Sequence, residues 1–255
     1  MVKKLFYLIL FAGTLFLYSG CVQKITVSGN CALGKPSFCD QVIERRGFTT
    51  GYSNLHRQPL WVSYILSAEN LTGIQVKRTD KFLTDPLIKH DPVIPKEYAR
   101  SGFDRGHIAP AADMAYSPET MAESFYMSNM SPQLPYCNRK SWLSVETLMR
   151  KWALKEKKLY IVAGPVFSRF SGKVPEKFRV TVPGHFFKAV LDLTPPHKMI
   201  AFVVPNSSTG GKNAESFAIS VDELEKLTGY DFFDLLDDDL ENKLEKQCCF
   251  EEWGE

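Results

Sequence analysis

Several signatures are missing from this 255-residue chain, and each omission closes off a class. No segment recurs at a fixed period, which excludes a solenoid or propeller. No glycine-rich loop of the nucleotide-cradling kind appears, and no low-complexity run. The six cysteines show neither a Cys-x-x-Cys nor a cysteine–histidine spacing, so a zinc site of the usual sort is excluded. The apolar run from Leu5 to Tyr18 has fourteen residues, too few for a comfortable bilayer span of roughly 20.

That run follows Lys3 and Lys4 and ends at Ser19-Gly20-Cys21, so residues 1–20 read as a signal peptide. Small residues before a cysteine resemble the lipobox of bacterial lipoproteins. Cleavage on the amino side of Cys21 and its acylation would then anchor the protein to a membrane. Tyr18 stands where that pattern prefers leucine, and plain periplasmic or secreted export is the competing reading. Both place the chain outside the cytoplasm.

Charge has to be read by region. Without residues 1–20 the chain holds 29 basic and 29 acidic side chains, a balance that says nothing about a polyanionic partner. Asp231 to Glu255, however, carries ten acids and two lysines, which leaves 27 basic against 19 acidic residues over 21–230. Such a surplus suits a polyanion if it lines one groove. If Cys21 is acylated, Cys31, Cys39, Cys137, Cys248 and Cys249 remain, and an oxidising compartment permits a Cys31–Cys39 bridge. Cys137 is discounted as a metal ligand because no second thiol or imidazole accompanies it.

Residues 21–46 read as an irregular tether, 47–235 as one domain and 236–255 as an acidic tail. Within the domain, strands are expected at Leu60–Leu66, Ile74–Lys77, Asp104–Ile108, Phe125–Met130, 159–163, 179–193 and 199–204, with a loop over 78–100. Ser117-Pro118 starts a helix, and Ser220-x-x-Glu223 is a capping box for another that Gly229 can close. From about Arg139 to Glu156, Trp142, Val145, Met149 and Trp152 recur on one helical face and are core residues, bordered by Arg139, Lys140, Arg150 and Lys151. Mixed strands and helices predict an α+β fold with a mainly antiparallel central sheet and flanking helices.

The chemistry concentrates between Phe103 and Trp152. Hydrolysis of a phosphodiester needs a base, a cation for the charge growing on the phosphoryl oxygens, and help for the leaving oxygen. His107 has a pKa suited to the base. Arg105, on the same face of an extended segment, offers a fork for phosphate. Asn138 offers a neutral oxygen to a hard ion, and Glu146 lies a little over two turns along the same helix. Taken singly, each has a bland reading: Asn138 as a helix cap, Asn129 as a turn residue before Pro132, Glu146 as a solvated helix position. His56, His90 and His197 lie in loop-like surroundings, and His185 reads as a packed or groove-lining residue.

The conjunction changes the weights. Asp104-Arg-Gly-His107, then Ser128-Asn129-x-x-Pro132-Gln133 and Asn138-x-x-x-Trp142-x-x-x-Glu146, resembles the DNA/RNA non-specific endonuclease family of secreted bacterial nucleases and mitochondrial endonuclease G. Similarity continues through Tyr160–Phe167, Val182–Lys188, Ala201–Asn206 and Ser220–Gly229, covering roughly Gly47 to Phe233. The resemblance implies a ββα-metal (His-Me finger) site. His107 would be the general base, Asn138 the direct ligand of Mg²⁺ (Mn²⁺ as an alternative), Arg105 and Glu146 phosphate- or water-binding groups, and Asn129 a positioning residue. Arg78 is the nearest match to a further family arginine that stabilises the transition state.

The expected activity is therefore metal-dependent, non-specific cleavage of DNA and RNA. A homodimer is an option the resemblance carries, and the sequence shows no mark of a protein inhibitor. A catalytically silent, surface-anchored nucleic-acid-binding protein for DNA capture is the rival from another class. A narrower phosphodiesterase of small nucleotides is the rival enzyme.

Overall fold

Strands that are apolar nearly end to end must be covered on both faces, and four of them set the architecture. In a computed structural model, which describes residues 29–170, 172–210 and 213–254, they form the centre of a seven-stranded antiparallel sheet. In chain order its strands are β1 (Gln41–Glu44), β2 (Thr49–Ser53), β3 (Gln58–Ser67), β6 (Lys158–Val166), β7 (His185–Asp192), β8 (Lys198–Pro205) and β9 (Ala218–Ile219), and they neighbour one another in that order. The remaining strands, β4 (Asp104–His107) and β5 (Met130–Gln133), pair only with each other.

Helices cover the two faces. Alternation along β7 sends Phe186 and Val190 to one core, and Phe187, Ala189 and Leu191 to the other. The first core takes its helical contribution from α3 (Leu143–Glu156), whose Val145, Met149, Trp152 and Ala153 are buried behind Trp142. The second takes Val221 and Leu224 from α4 (Val221–Thr228). Ser220 and Glu223 exchange the two bonds of a capping box at the start of α4, and Gly229 ends it in the left-handed region at φ 71°. The shorter helices are α1 (Ala68–Thr72), α2 (Pro118–Ser124), capped by Ser117, and α5 (Asp238–Leu244). Among the described residues no helix is long and apolar enough to cross a membrane.

The α+β class and the antiparallel sheet agree with expectation, and several details do not. The stretch expected as a tether supplies an edge strand, β1, and Cys31 is buried in the second core, so packing begins well before Gly47. The expected acidic tail is docked too: Trp253 is 1% exposed and stacks on Trp152 at 4.5 Å, because its indole closes the open end of the first core. Ile74–Lys77 is no strand; only Val76 N finds a backbone acceptor, Ala115 O, at 2.8 Å. The partner of β4 is shifted from Phe125–Met130 to Met130–Gln133, since Met127–Asn129 coils into a 3-10 turn. β7 starts at His185 rather than 179, after Pro183 and Gly184. Cys31 and Cys39 are free thiols, not a bridge. The signal segment 1–20 and Cys21 lie outside the described residues.

Candidate active site

β4 and β5 make a short antiparallel hairpin in which Asp104 faces Gln133 and His107 faces Met130. Gly106 is required there, because a Cβ would collide with the Gln133 side chain lying across the strand. Alternation turns Arg105 and His107 to one side. The chain leaving His107 is clamped at several points. Trp142 Nε1 donates to His107 O at 3.2 Å, and Ile108 N donates to Asn129 O at 3.0 Å. Asn129, fully buried, accepts from Ala109 N and donates to Ala109 O and Ser124 O, each at 2.9 Å.

The imidazole of His107 sits edge-on to Phe125, centroids 4.9 Å apart, with Phe82 at 5.7 Å. Its Nε2 is buried and has no hydrogen-bond partner among the described residues. Burial in this aromatic niche, reinforced by the positive charge of Arg78 and only partly offset by Asp80, pulls its pKa down to about 3. The ring is therefore neutral at physiological pH.

Facing the hairpin, Cys137–Trp142 forms a π-helical turn that leads directly into α3. Widened turns of this kind re-aim side chains and recur at functional sites. Asn138 lies in it and turns its amide nitrogen to Asp104 Oδ2 at 2.8 Å, while Arg139 grips the same carboxylate through Nε and Nη2 at 2.9 and 2.8 Å. With the nitrogen committed to Asp104, the carbonyl oxygen is the end of Asn138 that can meet a cation. The neighbouring Cys137 thiol, pushed up to about 12 by burial, is protonated.

The elements converge on a cleft of about 500 Å³, lined by Arg78, Arg105, His107, Asn138, Glu146 and Arg150 among others. Arg105 is held by Pro95 O, at 3.0 Å from Nη2, and lies over the Phe82 ring at 4.9 Å. Arg78 sits 5.0 Å from the Phe125 ring and pairs with Asp80 at 2.6 Å. The carboxyl of Glu146 is raised to about 7 by burial, against the pull of Lys188 and with the push of Asp113.

Five of the six residues expected in the site thus line the cleft, while Asn129 stands behind it as a backbone clamp. Three polar cleft residues, Asp104, Arg139 and Arg150, had no role assigned from sequence. Arg150, four residues after Glu146 on α3, was placed only beside the apolar stripe, although the i, i+4 spacing puts it on the same face. Asp104 stood in the motif without a task, and its hold on Asn138 became visible only once the hairpin met the π-turn.

The donor set suits a hard divalent cation. A single neutral amide oxygen, with carboxylate near by and room for phosphate oxygens, matches an ion that takes few protein ligands. Neutral imidazole, oxygen donor and four guanidinium groups together fit a phosphodiester undergoing attack by water.

Comparison with known proteins points the same way. The family model described as DNA/RNA non-specific endonuclease matches residues 27–239. The chain is 34% identical over 242 residues to a nuclease of Nostoc sp., covering 87% of this chain and 86% of that one. It is 32% identical over 233 residues to the mitochondrial nuclease of Saccharomyces cerevisiae, covering 81% and 69%. The crystal structure of the EndoG/EndoGI complex holds a chain that superposes with a TM-score of 0.74 at 28% identity, over 82% of this chain and 91% of that one.

Proposed function

Because the chain belongs to the DNA/RNA non-specific endonuclease family and is a nuclease, we propose that its cleft hydrolyses backbone phosphodiesters of DNA and RNA, with His107 as general base and Asn138 as ligand of a divalent cation. The observation that carries this reading is a neutral His107 lining the same cleft as Asn138 and four arginines. The fit of Asn138 favours Mg²⁺ or Mn²⁺, which when bound supplies Lewis-acid stabilisation of charge on the phosphoryl and leaving oxygens.

His107 takes a proton from the attacking water as its oxygen bonds to phosphorus in line. The P–O3′ bond breaks and the departing O3′ takes a proton from solvent water, leaving a 5′-phosphate and a 3′-hydroxyl. Arg105, Arg78 and Arg150 bind the non-bridging oxygens whose charge grows in the transition state. A bound phosphodiester offsets the charge of Arg78, the lesser of the two causes that lower the basicity of the histidine. Asp104 and Asn129 hold the amide and the strand in place without touching substrate.

Contacts made to phosphate carry little sequence information and weaken with salt, so cleavage should be sequence-tolerant and salt-sensitive. The full chain, incubated with supercoiled plasmid and with RNA in Mg²⁺ or in EDTA, tests this. Degradation of both polymers that disappears with EDTA, His107→Ala or Asn138→Ala is expected. Binding without cutting by folded wild type would instead establish the capture protein. Export belongs to the same proposal, with residues 1–20 removed and a lipid on Cys21. Palmitate labelling that is lost in Cys21→Ser is expected, and an unlabelled, freely released wild type would reduce it to plain secretion.

A further inference from the structure

We propose that Lys188 is a positioning residue of this nuclease, acting from behind the cleft on the strand of His107 and on Glu146 and Arg150. The inference rests on the cleft being the catalytic site.

Lys188 is out of place by the logic of its strand. In β7, Phe186 and Val190 face the α3 side of the sheet, so the residue between them should be apolar as well. Instead an ammonium is buried there at 0% exposure. Desolvating such a group costs several kcal/mol unless its partners repay it, and Met would fill the same slot at no such cost. Burial accordingly lowers the pKa of this lysine, against the pull of Glu146 and Asp113.

Its contacts lead to the site by two routes. Nζ donates to Ile108 O at 3.4 Å, the carbonyl next after His107, and lies 4.6 Å over the ring of Trp142, whose Nε1 holds His107 O. Nζ also donates to Tyr64 OH at 3.1 Å. Tyr64 OH donates to Asp113 Oδ2 at 3.3 Å, and Asp113 Oδ1 accepts from Arg150 Nη1 at 2.9 Å. One cation therefore braces the exit of β4 and anchors the chain of bonds that aims Arg150 into the cleft. It also supplies charge to Glu146. Glu146 is faced by Lys188 from β7, Asp113 from the loop after β4, Arg150 from its own helix and Arg78 from the cleft wall, and Lys188 is the strongest of the cationic influences. Lys188 itself does not line the cleft, so its effect must pass through these residues.

Lys188→Met in the full chain keeps the bulk and removes the charge, which leaves Asp113 and Glu146 without their buried cation, so activity is read per folded molecule at a temperature where both proteins are native. We expect a lowered melting temperature and, per folded molecule, a kcat on plasmid lower by about 30-fold, the scale for residues that orient a site from outside it. KM should stay within about threefold, so that the loss falls on kcat. A folded Lys188→Met with wild-type kcat overturns the inference. If Lys188→Met does not fold, Tyr64→Phe decides. It keeps the ring and cuts the bond to Asp113, so wild-type turnover in that variant also overturns the inference. A wild type that cuts neither DNA nor RNA with Mg²⁺ or Mn²⁺ present removes the functional reading itself, and this inference with it.

Discussion

In the seven-stranded sheet, the central strands bury apolar runs such as Met199 to Phe202 and hold register through continuous backbone ladders. In the β4–β5 hairpin and its π-turn, strands of four residues carry Asp104, Arg105, His107 and Gln133 and are held from outside by Trp142, Asn129 and Asn206. The sheet draws its stability from area removed from water. The hairpin concentrates polar groups that water would otherwise satisfy, and one of them, His107 Nε2, stays unpaired. The rigid body thus carries the energetic burden of a site whose own construction is costly.

That division is most sharply tested at His107. His107→Ala should lower the cleavage rate by about a thousandfold or more while leaving the fold intact. The same residue should make the wild type acid-sensitive. Its native pKa, about 3, lies below the ordinary 6.5, so the unfolded chain binds the proton first as pH falls. The stability it contributes is complete above pH 6.5 and is lost progressively as pH drops toward 3. Urea midpoints at pH 7 and pH 5 should therefore differ less in His107→Gln than in wild type. Equal acid losses in both would show that the niche does not hold the ring neutral.

Trp253→Ala attacks the other region. It removes the ring stacked on Trp152 and frees the Trp253 carbonyl that Lys155 Nζ holds at 2.8 Å. A loss of about 3 kcal/mol in chemical unfolding is expected, with kcat per folded molecule nearly unchanged. Parallel loss of kcat would mean that the end of α3 transmits strain to Glu146 and Arg150.

Asp104→Asn probes the join between hairpin and helix. The substitution keeps the shape but leaves Asn138 facing an amide that can present its own N–H, and it weakens the grip of Arg139. Cleavage should fall by about 10–100-fold and recover in part at raised Mg²⁺, measured as a rightward shift of the metal activation curve. An unshifted curve would detach Asp104 from Asn138 in function.

The same contrast explains what could be read in advance. Periodicity announced β3, β6, β8 and the buried face of α3, because there a side chain's position follows from its place in a regular repeat. Motif residues announced His107, Arg105 and Asn138. What stayed hidden breaks the repeat or depends on distant chain. The turn before α3 is π-helical rather than α-helical, Met127–Asn129 coils where a strand was expected, and Lys188 is a charge at an apolar position. Trp253 was unreadable as core because its partner lies about a hundred positions upstream, beyond any local pattern.

Ser220→Ala should have the smallest effect. Ser220 Oγ accepts from Glu223 N at 3.1 Å, and Glu223 Oε2 accepts from Ser220 N at 2.9 Å, so the loss leaves one helix-terminal N–H to water. Caps of this kind are worth about 1 kcal/mol, a fall of only a few degrees in melting temperature for a domain of this size. α4 packs on the face of the sheet opposite α3, and its buried residues, Val221 and Leu224, belong to the core that none of the cleft helix enters. Cleavage at a temperature where both proteins are fully folded should therefore match wild type. A drop in rate at that temperature would show that the sheet conveys strain from one face to the other, and the separation of body from site would fail at its least loaded point.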